Sequence, residues 1–154
     1  MTRQERKERE RAQRRQVIVN AARELAEAEG WESVTTRRLA DCIEYSQPVL
    51  YSHFEGKDAI VSAVALEGFG ELAAVLHNAR ERAGSPRAEP RAVASAYLEF
   101  ARANPALYEA MFTLRVDLTF AGSSIPDGVN EREYFVEIGI TQRRLRHRFV
   151  EWGK

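Results

Sequence analysis

The segment Thr35-Thr36-Arg37-Arg38-Leu39-Ala40-Asp41-Cys42-Ile43-Glu44-Tyr45-Ser46-Gln47-Pro48-Val49-Leu50-Tyr51-Ser52-His53-Phe54 holds two short helical patterns separated by a tight turn. Thr35 and Thr36 suit the start of the first, because a threonine oxygen accepts from an unpaired first-turn N–H. Leu39, Ala40 and Ile43 supply its apolar side. Glu44-Tyr45 turns the chain, Ser46 suits a second cap, and Pro48 falls in a first turn, where its missing N–H costs nothing. Leu50 and Phe54, four apart, form the inner face of that second helix.

Outward from this core the pattern stays helical. Val17, Ile18, Ala21, Ala22, Leu25 and Ala28 recur at three- and four-residue steps, predicting a helix over 14–29 that stops at Gly30. Gly56 opens a long helix from Lys57 to about Arg82, whose apolar positions include Ile60, Val61, Val64, Phe69, Leu72 and Leu76. Residues 84–90 concentrate Gly and Pro and read as an interhelix loop. A fifth helix carries Val93, Tyr97, Phe100 and Ala101, and a sixth, capped by Asn104 with Pro105 first, carries Leu107, Tyr108, Met111, Phe112 and Leu114. Beyond 121–128 the character changes. Tyr134 to Ile140 is half strand-like and Arg143 to Trp152 reads as a basic amphipathic helix.

A longer packing helix followed by two short capped helices around a three- to four-residue turn is the pattern of a helix-turn-helix. Its second helix must enter a major groove about 12 Å wide, so small and polar side chains such as Ser46, Gln47 and Ser52 suit its exposed face. Hydroxyls and cations flanking it suit phosphates.

The ordered series Gly30-Trp31-Glu32-Ser33-Val34-Thr35-Thr36-Arg37-Arg38-Leu39-Ala40 and Ser46-Gln47-Pro48-Val49-Leu50-Tyr51-Ser52-His53-Phe54-Glu55-Gly56-Lys57-Asp58 closely resembles the DNA-binding domain of TetR-family transcriptional regulators, over about 14–66. The resemblance implies an all-α chain. In it an N-terminal three-helix helix-turn-helix domain is joined by a long fourth helix to a helical C-terminal ligand and dimerisation domain. It further implies that Thr36 and Arg38 bind phosphate, that Ser46, Gln47, Pro48 and Ser52 face the groove, that Tyr51 and His53 reach phosphates, and that Lys57 adds charge at the start of the fourth helix. With Thr35 and Arg37 these make the expected DNA-contact set. Leu39, Leu50 and Phe54 would be core. One departure matters: the family pattern usually has glycine in the turn, where Glu44 stands. Either the turn geometry differs, or a strain of about 1 kcal/mol or more is accepted. The acid also lies near the expected DNA face.

The resemblance also implies a homodimer on double-stranded operator DNA, released by a small-molecule effector that changes the separation of the two recognition helices. A repressor is the expected role. Tyr97, Phe100, Tyr108, Met111 and Phe112 either line the effector pocket or are ordinary core. The domain boundaries expected are a basic arm at 1–13, the helix-turn-helix domain at 14–58, a helical regulatory domain at 59–128 and an atypical tail at 129–154.

Composition is compatible with this. The chain has 154 residues, too few for a barrel or doubly wound enzyme, and 44% of them are hydrophobic. The formal net charge is zero, yet residues 1–15 hold seven basic groups against three acids. That arm suits a minor groove. Its Glu5/Arg9 and Glu10/Arg14 spacings equally suit a solvated helical extension. The lone Cys42 cannot form an internal disulfide and reads as a small core residue. No charged-then-apolar leader and no apolar run near ~18 residues is apparent, so no membrane association and a cytoplasmic location are expected.

No G-x-S-x-G, P-loop, H-E-x-x-H or C-x-x-C occurs, which argues against an enzyme. His77 and His147 lack ligand-spaced companions, so no metal and no cofactor is expected. Gly68-Phe69-Gly70-Glu71-Leu72-Ala73 matches a dinucleotide fingerprint in form, but inside a helical pattern with no preceding strand. A helical protein-interaction module without DNA binding is the rival reading. It leaves unexplained the polar exposed face of the third helix and its flanking Tyr51, His53 and Lys57. The 129–154 segment does not continue the apolar stripes, and is expected to be divergent, shortened or read in a shifted frame.

Overall fold

The computed structural model describes residues 1–114. The strand-like and basic helical patterns expected within 129–154 lie outside the described residues, as does the boundary at 128. Among the described residues there are six α-helices and no strand: α1 Arg3–Glu29, α2 Thr36–Cys42, α3 Gln47–Tyr51, α4 Lys57–Glu81, α5 Glu89–Ala103 and α6 Pro105–Phe112. A 3-10 turn, Trp31–Ser33, joins α1 to α2.

α1 starts at Arg3, not near residue 14. Thr2 and Glu5 form a reciprocal capping box in which Glu5 N–H donates to the Thr2 hydroxyl and Thr2 N–H to the Glu5 carboxylate. The basic segment is therefore a continuous helical extension, and the expected break between 13 and 14 is absent. Sequence periodicity missed this because residues 3–15 bury nothing and so carry no apolar stripe. The stripe itself is shifted. Ile18, Val19, Ala22 and Ala26 are buried, while Val17 and Ala28 are exposed.

α1 ends at Gly30, whose φ of 82° is open to glycine without the Cβ clash other residues meet. The chain then drops Trp31 and Val34 into the core beside Leu39, Leu50 and Phe54, the last three buried as expected. Cys42 is exposed, against expectation, because α2 is only seven residues long and its inward side is taken by Leu39 and Ala40.

α4 is the central support, packing against α1, α5 and α6. Against expectation, it is apolar enough by length and composition to cross a membrane, since Glu67 and Glu71 are the only charged groups over residues 59–76. Its apolar residues have partners within the fold: Ile60, Val61, Val64, Ala65, Phe69 and Leu72 are all buried. Gly68 permits a close approach of α6, since a Cβ there would lie 2.6 Å from Leu107 Cδ1 and 2.7 Å from Met111 Sδ. The glycine of the formal dinucleotide fingerprint is a helix-packing residue. The loop before α5 is as long as expected but lies two residues earlier, over 82–88, with Pro90 already inside the first turn of α5.

Candidate nucleic-acid interface

α2 and α3 are set by their ends. Thr35 caps α2, its hydroxyl accepting from Arg38 N–H at 3.2 Å. At the other end Tyr45 N–H donates to Ala40 C=O at 2.9 Å and Glu44 N–H to Asp41 C=O at 3.4 Å. This is a Schellman closure, and it requires a left-handed residue at the position Glu44 fills. Glu44 has φ 56°, so the glycine-type turn is kept and the strain of a side chain is accepted. Ser46 stands at the N-cap of α3 in extended backbone but makes no side-chain cap bond, which leaves its hydroxyl exposed beside Gln47 and Pro48.

The structure brings Thr36 and Tyr51 together. Their hydroxyls lie 3.2 Å apart, linking the first turn of α2 to the end of α3. Tyr51 is 49% exposed, high for an aromatic residue next to a packed core. Ser52 is exposed, but its hydroxyl donates back to Val49 C=O at 2.6 Å and so offers mainly its oxygen as an acceptor. Arg37 is exposed.

Arg38 and Lys57 are placed differently from free phosphate ligands. Arg38 makes a two-pronged pair with Glu29, at 2.8 and 3.0 Å. The hydrogen bonds and charge of Arg38 hold the Glu29 carboxyl below its usual pKa. Lys57 Nζ donates to Trp31 C=O at 2.5 Å and is half-buried. Both side chains thus brace the module as well as carrying charge.

Sequence reading missed Arg15. Its guanidinium donates to His53 C=O at 3.2 Å and sits over the Phe54 ring, 4.2 Å from the centroid. This fastens α1 to the end of α3. His53 is held below its usual pKa, first by burial and then by the charges of Arg11, Arg14 and Arg15. The available signal was the i,i+4 spacing of Arg11 and Arg15 in line with Ile18 and Ala22, on the side of α1 that packs.

The residues of the other expected site lie together, two of them buried and Tyr97, Tyr108 and Phe112 half-buried. Phe100 and Met111 are buried, and Tyr97 and Tyr108 share a 3.0 Å hydroxyl contact. Burial and that bond push the Tyr97 phenol far up. Phe112 lies edge-on to Phe69, with ring centroids 5.5 Å apart. Two open grooves on the described surface are lined by α1 and, in one case, by Cys42 and Ile43 as well. None of the five aromatic-cluster residues lines either groove. No cluster of three or more His, Cys, Asp or Glu suited to a metal occurs among the described residues.

Comparison with known proteins places this geometry. Residues 18–64 match the sequence family of bacterial regulatory proteins, tetR family. The chain is 35% identical over 95 residues to YobS of Bacillus subtilis, an uncharacterized HTH-type transcriptional regulator, covering 61% of this chain and 49% of that protein. It is 43% identical over 51 residues to the class C tetracycline repressor protein of Escherichia coli, covering 33% and 23%. A protein of unknown function from Rhodococcus sp. RHA1 superposes with a TM-score of 0.60 at 29% identity, covering 85% of this chain and 62% of that one. The chain thus spans about half the length of YobS and about a quarter of the tetracycline repressor. Residues 18–64 of this chain match a tetR-family domain and hold the helix-turn-helix, and the described residues that follow them are helical as well.

Proposed function

We propose that the protein is a sequence-specific DNA-binding transcriptional regulator, acting as a repressor that a small-molecule effector releases from its operator. The observation that carries the DNA-binding part is the exposed Ser46, Gln47, Pro48 and Tyr51 on and beside a five-residue helix, with Thr36 bonded to the Tyr51 hydroxyl. Nothing in core packing calls for an exposed tyrosine there. A phosphate oxygen between two hydroxyls does. In this reading Gln47 reads base edges, Thr36, Tyr51 and His53 hold phosphates, and Arg37 adds charge. Arg38 and Lys57 contribute charge from braced positions, and the site works in the cytoplasm as part of a homodimer on a two-half-site operator.

Effector release rests on a different feature. Tyr97, Phe100, Tyr108, Met111 and Phe112 are gathered between α5, α6 and α4, and the N-terminus of α6 is bonded to the helix-turn-helix domain through Glu27 and Trp31. A ligand that moved α6 would move that connection.

The test is a gel-shift titration of the DNA upstream of the protein's own gene, with wild type and Tyr51→Ala. Tyr51→Ala is expected to weaken binding roughly tenfold, in line with the ~1–3 kcal/mol of a good contact, and to leave thermal stability nearly unchanged. Unaltered affinity would show the assigned DNA face to be wrong. Salt-insensitive binding would favour the protein-interaction reading.

A further inference from the structure

We propose that Arg11 and Arg14, on the helical extension of α1, are a second phosphate-binding element beside the recognition helix, gripping the DNA backbone next to the contact made by His53. The inference rests on the DNA-binding reading above and extends it to residues outside residues 18–64.

Three observations carry it. First, the extension is continuous helix from Arg3 onward, closed at its start by the Thr2–Glu5 capping box. An α-helix with side chains is about 10–12 Å across, and the minor groove is about 6 Å wide. The extension therefore cannot lie in that groove as a flexible arm would; it can lie along a phosphate backbone.

Second, its position relative to α3 is fixed. Arg15 is pinned to His53 C=O and the Phe54 ring. Arg11 is one turn before Arg15 on the same side of the helix, and Arg14 is its neighbour, so both stand next to the end of α3. The charges of Arg11, Arg14 and Arg15 all act on His53, which agrees with that placement.

Third, Arg11 and Arg14 are exposed and neither is in an ion pair among the described residues. Arg15, by contrast, has the Glu67 charge near it and lies against the Phe54 ring. Like charges gathered around one histidine repel each other in the free protein, and a polyanion laid across them removes that repulsion. The partner chemistry is a regular row of phosphates, and the contact carries no base preference.

The experiment uses the full chain and a fluorescent 30-base-pair duplex of random sequence, with affinity followed by anisotropy between 50 and 200 mM salt. Each phosphate contact contributes ~0.9 to the salt slope, so R11Q/R14Q is expected to lower the slope by about 1.8. Over that salt range the wild type should lose roughly tenfold more affinity than the variant. The exposed pair R87Q/R91Q makes the same change in net charge away from α3 and should keep the wild-type slope. Glutamine keeps helix propensity, and matching thermal melts show that folding is intact. An unchanged slope in R11Q/R14Q, with Tyr51→Ala still weakened, would overturn this inference alone. Equal slope losses in both double variants would also overturn it. A wild type that binds no duplex would overturn it together with the DNA-binding reading.

Discussion

The indole N–H of Trp31 donates to the carbonyl oxygen of Ala106 at 2.7 Å, inside the core. Trp31 is also held through its own carbonyl, which accepts from Lys57 at the start of α4. One residue after Gly30 thus joins the helix-turn-helix domain to the first turns of both α4 and α6. Glu27 adds to the same joint. Its carboxylate accepts from Ala106 N–H at 3.1 Å and Leu107 N–H at 2.9 Å, doing for α6 the capping that Asn104 was expected to do. Asn104 accepts from Arg23 instead, and Arg23 also pairs with Glu71 of α4.

Trp31→Phe keeps most of the buried ring but removes the indole donor from the Ala106 carbonyl, which keeps its place in the α6 ladder. The net loss of one hydrogen bond, ~0.5–1.5 kcal/mol, is expected in urea unfolding. Glu27→Ala removes two charge-assisted cap bonds at a helix N-terminus and should cost about 1 kcal/mol. Both groups hold the same turn, so the double variant should lose less than the sum. A Trp31→Phe chain as stable as wild type would show that the indole bond adds nothing net to the joint.

Gly68→Ala tests the contact between α4 and α6. In an exposed helix this change would gain about 1 kcal/mol. Here the new methyl meets Leu107 and Met111 well inside contact distance, and Leu107 is fully buried. Overpacking of this kind costs ~1–3 kcal/mol. A net loss of about 1 kcal/mol is expected, with α6 displaced. A Tm above wild type would mean that α6 gives way freely.

The helix order, the short capped pair and the core residues Leu39, Leu50 and Phe54 were legible because caps, prolines and apolar spacing act locally. Thr35 caps as its chemistry requires, and Glu44 adopts the left-handed turn that the family pattern keeps for glycine. What was not legible depends on contacts distant in sequence. Glu27 and Trp31 reach α6 across 75 or more residues, and no local pattern announces either. Ser46 and Asn104 carry the right chemistry at N-cap positions and make no cap bond. The start of α1 was missed because a helix that buries nothing has no apolar period, only capping chemistry and charge spacing to reveal it.

Glu44→Gly is expected to change stability and binding in the same direction. A left-handed non-glycine residue costs ~1–2 kcal/mol, of which glycine's extra freedom in the unfolded chain returns a part. The folded state should gain about 1 kcal/mol by thermal or urea unfolding. Removing an acid beside α3 should also tighten duplex binding at low salt, and less so at high salt. A destabilised Glu44→Gly chain would show that the glutamate side chain makes a compensating contact.

His53 should give stability and DNA binding opposite responses to pH. Its folded pKa lies below the usual 6.5, because burial and three arginines disfavour its charged form. As pH falls through 6.5 the unfolded chain takes up a proton that the folded chain resists. Stability therefore drops down to the depressed folded value and is level below it. A phosphate placed against His53 does the reverse, favouring the imidazolium, so binding takes up a proton and affinity rises as pH is lowered through the same window. The gain is limited to about tenfold for each pK unit by which DNA raises the histidine. Anisotropy titrations from pH 7.5 to 5.5 on wild type and His53→Gln read this directly. The variant should lose the pH-dependent gain while retaining binding at pH 7.5. A wild-type affinity that falls with pH would place His53 away from the phosphates.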